Sequence, residues 1–397
     1  MADRRIPIAR PWMDQREADA ARRAILSGWV TQGPEVAAFE EEFADIVGSP
    51  HACAVSSCTA ALHLALRGVG VGPGDEVITA SYSYVATANA VRHCGGVPVF
   101  ADIEQDGPNI DPERVEASIG PATRAILCVH QIGMPCDLTR LAEIASRHGL
   151  PLIEDAACAI GSEMRIEGGD FETIGRPRGD IACFSFHPRK ILTTGDGGML
   201  TTRHVDLDRR FRRERQHGMD VPDLVRHGAP EVSDDVHVSV GYNYRMTDVQ
   251  AAIGRVQLTR LPEILKRRRA LARRYLRLLE SLPVTPPRAP EWARPNWQSF
   301  SIGLPRGCNR REVMQTMLDD GVATRRGVHC AHREPAYAVE LWKMGAGGLA
   351  RSERAQDSSL LLPLFHQMTE AEQDHIVAAL GDALARTGKR LVGQPAK

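Results

Sequence analysis

The sequence predicts an α/β protein: a large unit on a mostly parallel sheet between helices, then a smaller α+β unit. Three observations carry that prediction. From residue 51 to residue 202, short apolar runs alternate with stretches of helical length, as in a parallel sheet covered on both faces. After a proline-rich connector at residues 283–295 the alternation is replaced by a strand and two helices. The chain has 397 residues, which suits about two domains of roughly 100–200 residues each. The expected division is an arm over 1–35, a large domain over 36–260 and a small domain over 261–397.

His51 to Val55 reads as the first strand, and Thr59 to Leu66 as a helix capped by Ser56 or Ser57. Glu76–Thr79 and Val97–Ala101 are strands on either side of a helix over Val85–His93. Asp111-Pro112 is a cap followed by proline at the first helical position. Ala125–Val129 is a strand, and Asp137 caps a helix that Gly149 stops after His148. Leu152 and Ile153 form a strand running into Glu154-Asp155, and Ile181–Phe186 and Met199–Thr202 are two more. Thr247 opens a helix with Val249, Ala252, Ile253 and Val256 on one face, and a second, arginine-rich helix is expected from Pro262 to Leu282. The small unit then has a strand over Ser299–Leu304 and helices over Arg310–Asp320 and Thr369–Arg386.

Net charge is −1, so no global basic surface points to nucleic acid, and Lys266 to Arg269 reads as a solvated helix face. No apolar run approaches the about 18 residues of a membrane span. Met1 to Arg5 has no apolar signal core behind it, and the cytoplasm is the expected location. The nine cysteines are scattered, without a CxxC pair or zinc-ligand spacing, so reduced thiols and no metal are expected. Basic charge is carried almost wholly by arginine: there are five lysines, and Lys190 is the only one before Lys266. An amine can form a Schiff base, whereas a guanidinium stays protonated.

Four segments could carry chemistry. Ser56-Ser57-Cys58-Thr59 lies at a strand-to-helix turn, where free amides and hydroxyls suit a phosphate. Asp155 ends a buried parallel strand and needs a cationic or hydrogen-bonded partner. Phe184 to Lys190 precedes Gly195-Asp196-Gly197-Gly198: Ser185 could bind phosphate, Lys190 could be a nucleophile with its pKa lowered by burial near a cation, and the glycines permit close backbone approach. Gly241-Tyr242-Asn243-Tyr244-Arg245 enters the Thr247 helix and suits ligand contact. Taken singly, each has an ordinary structural explanation: a helix cap, a loop carboxylate, a surface lysine and a helix entrance.

Together these blocks resemble the DegT-type (DegT/DnrJ/StrS) nucleotide-sugar aminotransferases, a branch of the fold-type I pyridoxal-phosphate enzymes. The resemblance runs nearly end to end. It takes in Trp29 to Pro34 with Phe39-Glu40, Ser57 to His63, Gly74 to Val77, Val85 to Ala90, and Pro98 to Phe100 with Asp102. It continues through Glu154 to Ala157, Ser185 to Lys190, Gly241 to Arg245 and Leu362 to Leu364.

The resemblance implies a fold-type I architecture and pyridoxal 5′-phosphate as cofactor. By position it makes Lys190 the Schiff-base and proton-transfer residue and Asp155 the partner of the pyridinium nitrogen. Ser57, the amide of Cys58, Thr59 and Ser185 would take the phosphate, Tyr84 would stack on the ring, and Cys158 would lie near its phenolic oxygen. Asn243 would reach the cofactor phosphate of a neighbouring subunit, which implies a homodimer with shared sites.

Cys58 stands where the pattern usually has glycine, and Cys158 where it often has glutamine or histidine. His187, Arg245, Arg326, His329 and His332 are the candidate substrate contacts, the last three placed to meet a nucleotide diphosphate. The implied reaction moves an amine from an amino acid, L-glutamate by analogy, to a keto-sugar nucleotide. Lys190-x-x-Thr193-Thr194-Gly195 resembles the members that aminate C4.

A cyclitol aminotransferase and a non-catalytic regulator on the same fold are the alternatives. The regulator predicts loss of Lys190, Asp155 or Ser185, and all three are present. Sugar dehydratases of this group carry histidine in place of the lysine. A cysteine desulfurase would need a mobile loop cysteine, for which Cys330 is the candidate.

Overall fold

The computed structural model describes residues 5–166, 169–220 and 236–392, with 387–392 by backbone alone. Residues 1–4, part of the segment read above for a signal core, lie outside them. Eight strands form the main sheet. They include β1 (His51–Val55), β2 (Glu76–Ala80), β3 (Val97–Ala101), β4 (Thr123–Val129) and β5 (Leu152–Asp155). Beyond β6 (Glu163–Arg165) and β7 (Phe171–Thr173), the chain adds β8 (Ile181–Ser185) and β9 (Gly198–Thr202) to this sheet. The spatial order is β1-β9-β8-β5-β4-β2-β3, and a late strand, β13 (Lys343–Met344), completes the far edge. All neighbours from β8 to β13 run parallel, while β9 is antiparallel to both β8 and β1.

Alternation along the strands sends residues into two cores. Cys53 and Val55 of β1 pack with Leu62, Leu64 and Leu66 of helix α3 (Cys58–Gly68), and Ala52 and Ala54 pack with Phe39 and Phe43. Strand residues buried from both sides explain the continuous apolar runs in the sequence.

The first fifty residues contain two helices, α1 (Gln15–Leu26) and α2 (Pro34–Val47), which the strand pattern did not reveal. Asp14 caps α1 reciprocally with Glu17, and Pro34 opens α2. Helix α4 (Ala86–His93) follows β2, α5 (Pro112–Ala117) precedes β4, α6 (Leu138–His148) precedes β5, and α7 (Val205–Glu214) follows β9.

Where two helices were expected at Thr247 and Pro262, there is one, α8 (Asp248–Leu278), with Pro262 inside it. An interior proline costs about 3 kcal/mol. Packing offsets that cost, because α8 joins two cores. Ala251, Leu258, Leu261 and Ile264 lie in the large core, whereas Leu271, Ala272 and Tyr275 lie in the small one. Arg260 and Gln257 also bond Glu17 of α1 at 2.7 Å. The division expected at 260 therefore falls within a helix.

The small core is a three-stranded antiparallel sheet, β11 (Phe300–Gly303), β14 (Ser359–Leu362) and β12 (Arg325–Arg326). Helices α9 (Arg310–Asp319) and α11 (Glu370–Val392) contribute Val313, Met317, Ile376 and Leu380 to it. The connector at 283–295 includes β10 (Ala293–Arg294), which pairs with β6. The C-terminal third also returns to the large sheet: Tyr337 and Leu349, ahead of α10 (Ala350–Ser358), pack with Phe100.

Candidate active site

The site is built at the carboxyl ends of the parallel strands, where ligands sit on such sheets. Strands β8, β9 and β1 place three segments side by side. Gly198 at the start of β9 is opposite both Ser185 and Val55, so the Ser185 turn and the Ser56–Cys58 turn flank one glycine. A Cβ on Gly198 would stand 2.5 Å from the Ser57 carbonyl carbon and 2.7 Å from the Cys58 nitrogen. Glycine is required there because the α3 N-terminus lies directly on it.

Ser57 caps α3, its hydroxyl accepting from the Ala60 amide at 3.2 Å. Cys58 and Thr59 are the first two helical residues, whose amides have no partner within the helix. Because Cys58 lies inside the helix, it needs no left-handed backbone, and its departure from the glycine pattern carries no strain. Ser185 is buried, and its hydroxyl accepts from the His187 amide at 3.4 Å.

Asp155 closes β5 and is nearly sealed from solvent. The Thr87 hydroxyl donates to its Oδ2 at 2.7 Å, and the Ala157 amide to its Oδ1 at 3.1 Å. Ser83 is paired with the Thr87 hydroxyl at 2.8 Å. Burial pushes the Asp155 carboxyl above the usual range, against Thr87, Ala157 and the nearby charges of Lys190 and His130. Burial without a full cationic partner fits a site that supplies one, a protonated ring nitrogen. Its neighbour Glu154 points to the other face and is satisfied within the protein by His130 at 3.1 Å and the amides of Arg178 and Gly179.

Lys190 lies in the loop between β8 and β9, and its Nζ donates to Cys158 Sγ at 3.1 Å. Burial alone would lower its pKa. Cys158, Cys58 and Asp155 outweigh that, so the amine sits above its ordinary value in the cofactor-free site. The sequence reading expected the opposite direction, from a nearby cation; the groups acting on this amine are acidic instead. The residue at position 158 therefore meets the lysine directly.

Gly195 supplies a left-handed turn, with φ of 87°, in the same loop. His187 is exposed at the turn before Lys190, and its Nδ1 accepts from the Arg189 amide at 3.2 Å, so one ring nitrogen serves the loop. Tyr84 is 68% exposed at the entrance, on the segment that leads to Thr87.

Asn243 and Arg245 sit beside the α3 turn. Arg245 bridges Val55, the Tyr244 carbonyl accepts from the Ser56 amide at 2.8 Å, and Arg245 donates to the exposed Asn243 at 3.2 Å. Arg326 and His329 form a separate group around Glu334, which both meet at about 3 Å. Their segment reaches the Tyr84 loop through a bridge between Tyr82 and Cys330. His332 is 8% exposed, with Nδ1 bonded to Ser81 at 2.6 Å and Nε2 to Glu353 at 3.1 Å. Both its ring nitrogens are engaged, so it fastens the segment and offers no free donor. Cys330 is fully buried, unlike a desulfurase loop cysteine.

Sequence reading missed Thr87 and Asn296. Thr87 follows Asp155 only through space, 68 positions away. Asn296 is completely buried, and its amide donates to the carbonyls of Cys158 and Ile160 at 2.8 Å each.

The amides at the α3 turn, the glycine cradle, the buried carboxylate and the lysine together fit pyridoxal phosphate by their chemistry. Comparison with known proteins agrees. Among solved structures, the aminotransferase TlmJ from Streptoalloteichus hindustanus is 33% identical over 96% of this chain and 99% of its own, with a TM-score of 0.86. DesV from S. venezuelae is 35% identical over 95% and 98%, with a TM-score of 0.83. Spr1654 from Streptococcus pneumoniae, solved in its PLP form, is 25% identical over 96% and 99%, with a TM-score of 0.86. The model of the DegT/DnrJ/EryC1/StrS aminotransferase family matches residues 11–381, and the chain belongs to that family of pyridoxal-phosphate-dependent aminotransferases.

Proposed function

We propose that this chain transfers an amino group from L-glutamate to the keto group of a nucleotide-linked sugar, at C4, in a ping-pong reaction. The observation that carries the reading is the convergence of Lys190, Asp155 and the α3 turn, each retained where the family's chemistry needs it. Bound pyridoxal phosphate supplies an electron sink for the carbon whose proton is removed.

The residues divide the work. The free amides of Cys58 and Thr59, with Ser57, Thr59 and Ser185 hydroxyls, hold the phosphate at a helix N-terminus. Asp155, whose charged form is favoured by the bonds from Thr87 and Ala157, would hold the proton on the ring nitrogen. Lys190 Nζ is the covalent attachment point, and it takes the α-proton of the donor. Cys158 sets the direction from which it does so. Tyr84 covers the ring from the entrance.

For the acceptor, Arg326 and His329 are the diphosphate contacts, with Arg326 turning from Glu334 to phosphate on binding. His187 Nε2 and Arg245 face the sugar side. Asn243, exposed beside the α3 turn, is the residue a second subunit would share, which makes the active unit a homodimer. A cytoplasmic location accords with the soluble substrates; among the described residues no helix is long and apolar enough to cross a membrane.

The test is a panel of keto-sugar nucleotides offered to enzyme preloaded with glutamate, with Lys190→Ala as control. The expected result is turnover of a 4-keto-sugar nucleotide by the wild type alone, with loss of the lysine-bound cofactor absorbance in the variant. An inactive panel with an active scyllo-inosose would transfer the reading to a cyclitol acceptor. Full multi-turnover activity in Lys190→Ala would overturn it.

A further inference from the structure

We propose that Cys158 is a catalytic acid–base partner of Lys190: its sulfur takes from Nζ the proton that must leave before the amine can act as a base. The inference rests on the role given to Lys190 above and deepens it. It is carried by the contact of Nζ with Cys158 Sγ at 3.1 Å.

Nζ is held in acidic company. Burial works to lower its pKa, and Cys158, Cys58 and Asp155 outweigh that. An amine so held is an ammonium at neutral pH, and an ammonium has no lone pair for the donor's α-proton. Three groups could relieve it, and two are committed elsewhere. The Asp155 oxygens accept from Thr87 and Ala157, and the carboxylate is the partner assigned to the ring nitrogen. Cys58 is buried, and burial pushes its thiol well up, so it keeps its own proton. Cys158 is half-buried, and its sulfur is the one hydrogen-bond partner of Nζ among the described residues. Of the other titratable groups nearby, Cys183 acts on Cys58 and His187 feels the charge of Lys190, but neither bonds Nζ. An ordinary thiol and an ordinary amine titrate at about 8.5 and 10.4, close enough for a proton to pass between them.

One turn fixes this contact from both sides. Asn296, fully buried, donates to the carbonyls of Cys158 and Ile160 at 2.8 Å each, and its Oδ1 accepts the Gln298 backbone N–H at 2.8 Å. Gln298 Nε2 in turn donates at 2.8 Å to the carbonyl of Arg189, the residue before Lys190. The turn thus grips the backbone on the sulfur side and on the amine side. Ser162 fastens it, donating to the Gly133 carbonyl at 2.7 Å and accepting the Asn296 backbone N–H at 3.0 Å. A Cβ on Gly133 would overlap Asn296 Oδ1 and stand 3.1 Å from the Cys158 carbonyl oxygen.

The step is a proton transfer without redox. An N–H bond of the ammonium breaks and an S–H bond forms, so thiolate and ammonium become thiol and neutral amine. The freed lone pair on Nζ takes the α-proton and delivers it to the cofactor. The thiol then returns its own proton to Nζ, and the pair is restored.

The first test follows the donor half-reaction of the holoenzyme at saturating amino acid against pH, in the wild type, Cys158→Ser and Cys158→Ala. Cofactor retention verifies the fold. A hydroxyl keeps a polar contact but does not ionise in this range. The rate in Cys158→Ser should fall about 10- to 100-fold at neutral pH, as for a lost acid–base partner. The loss should shrink as pH rises, because the lone amine must then shed its proton to water, and Cys158→Ala should show the same slope. The second test needs no turnover. Wild type and Lys190→Ala, both loaded with pyridoxamine phosphate, are treated with iodoacetamide, and alkylation at Cys158 is read by peptide mass spectrometry. Removing the ammonium should slow alkylation at neutral pH about tenfold or more, since the thiolate is the reactive form.

A wild-type rate and pH dependence in Cys158→Ser, a loss of equal size at every pH, or alkylation of Cys158 that does not depend on Lys190 would overturn the assignment. Failure of the wild type to accept an amine from any amino acid is a different outcome. It would bring down the function proposed above, while the alkylation would still judge the pair.

Discussion

Replacing Thr87 with valine keeps the shape of the side chain and removes one hydroxyl, and that hydroxyl donates to Asp155 at 2.7 Å in a buried setting. A hydrogen bond to a charged group is worth about 1.5–3 kcal/mol. Asp155 has one other short-range donor among the described bonds, the Ala157 amide at 3.1 Å, so no spare donor replaces the lost one. The valine should therefore weaken ionised Asp155 by that amount, and with it the pairing to a protonated ring nitrogen. At about 1.4 kcal/mol per tenfold, cofactor affinity should fall roughly 10- to 100-fold.

Equilibrium binding of pyridoxal phosphate to Thr87→Val, Asp155→Ala and the double variant measures the coupling. The Thr87 effect should vanish once Asp155 is alanine. An affinity within twofold of wild type, or an equal loss in the alanine background, would refute the claim that Thr87 acts through Asp155. In the cofactor-free protein the sign can be checked by pH. Asp155 is raised by burial, and losing Thr87 raises it further. The destabilisation by valine should be largest above that pKa, where the carboxylate is charged, and should shrink as pH falls through it.

Two further outcomes follow from the same geometry. Gly198→Ala sets a Cβ against the Ser57 carbonyl and the Cys58 amide, so it should displace the α3 turn and cost about 1–3 kcal/mol of stability together with cofactor affinity. Gly195→Ala, which faces open space but has φ of 87°, should cost about 1–2 kcal/mol and spare the phosphate cradle; equal affinity losses in thermal-shift titrations would contradict this. Glu104 is pushed up to about 7 by burial, with Asp137 and Asp111 adding to it. From the ordinary carboxyl value to about 7 the folded chain keeps a proton that the unfolded chain releases, so stability falls as pH rises through that window. Glu104→Gln should remove the fall and gain about 1–2 kcal/mol at pH 8, discounted because the side chain is half-exposed; parallel denaturation curves at pH 5 and 8 would rule it out.

The sequence by itself determined the parallel sheet as far as β9, and it singled out Lys190, Asp155 and the Ser57–Thr59 turn as the candidates for chemistry. These were legible because each depends on local chemistry: apolar runs between caps, a lone lysine in a glycine loop, hydroxyls at a helix entrance. The helix at Pro262 was misread for the same reason, since a local rule breaks it there and only two cores far apart in sequence hold it together. Partners through space were decided by the tertiary structure alone. Thr87 reaches Asp155 from the first turn of α4, Asn296 reaches Cys158 from the turn between β10 and β11, and the acidic company of Lys190 reverses its expected pKa shift. Sequence periodicity records which face of an element is buried, but not what stands on the other side of the contact.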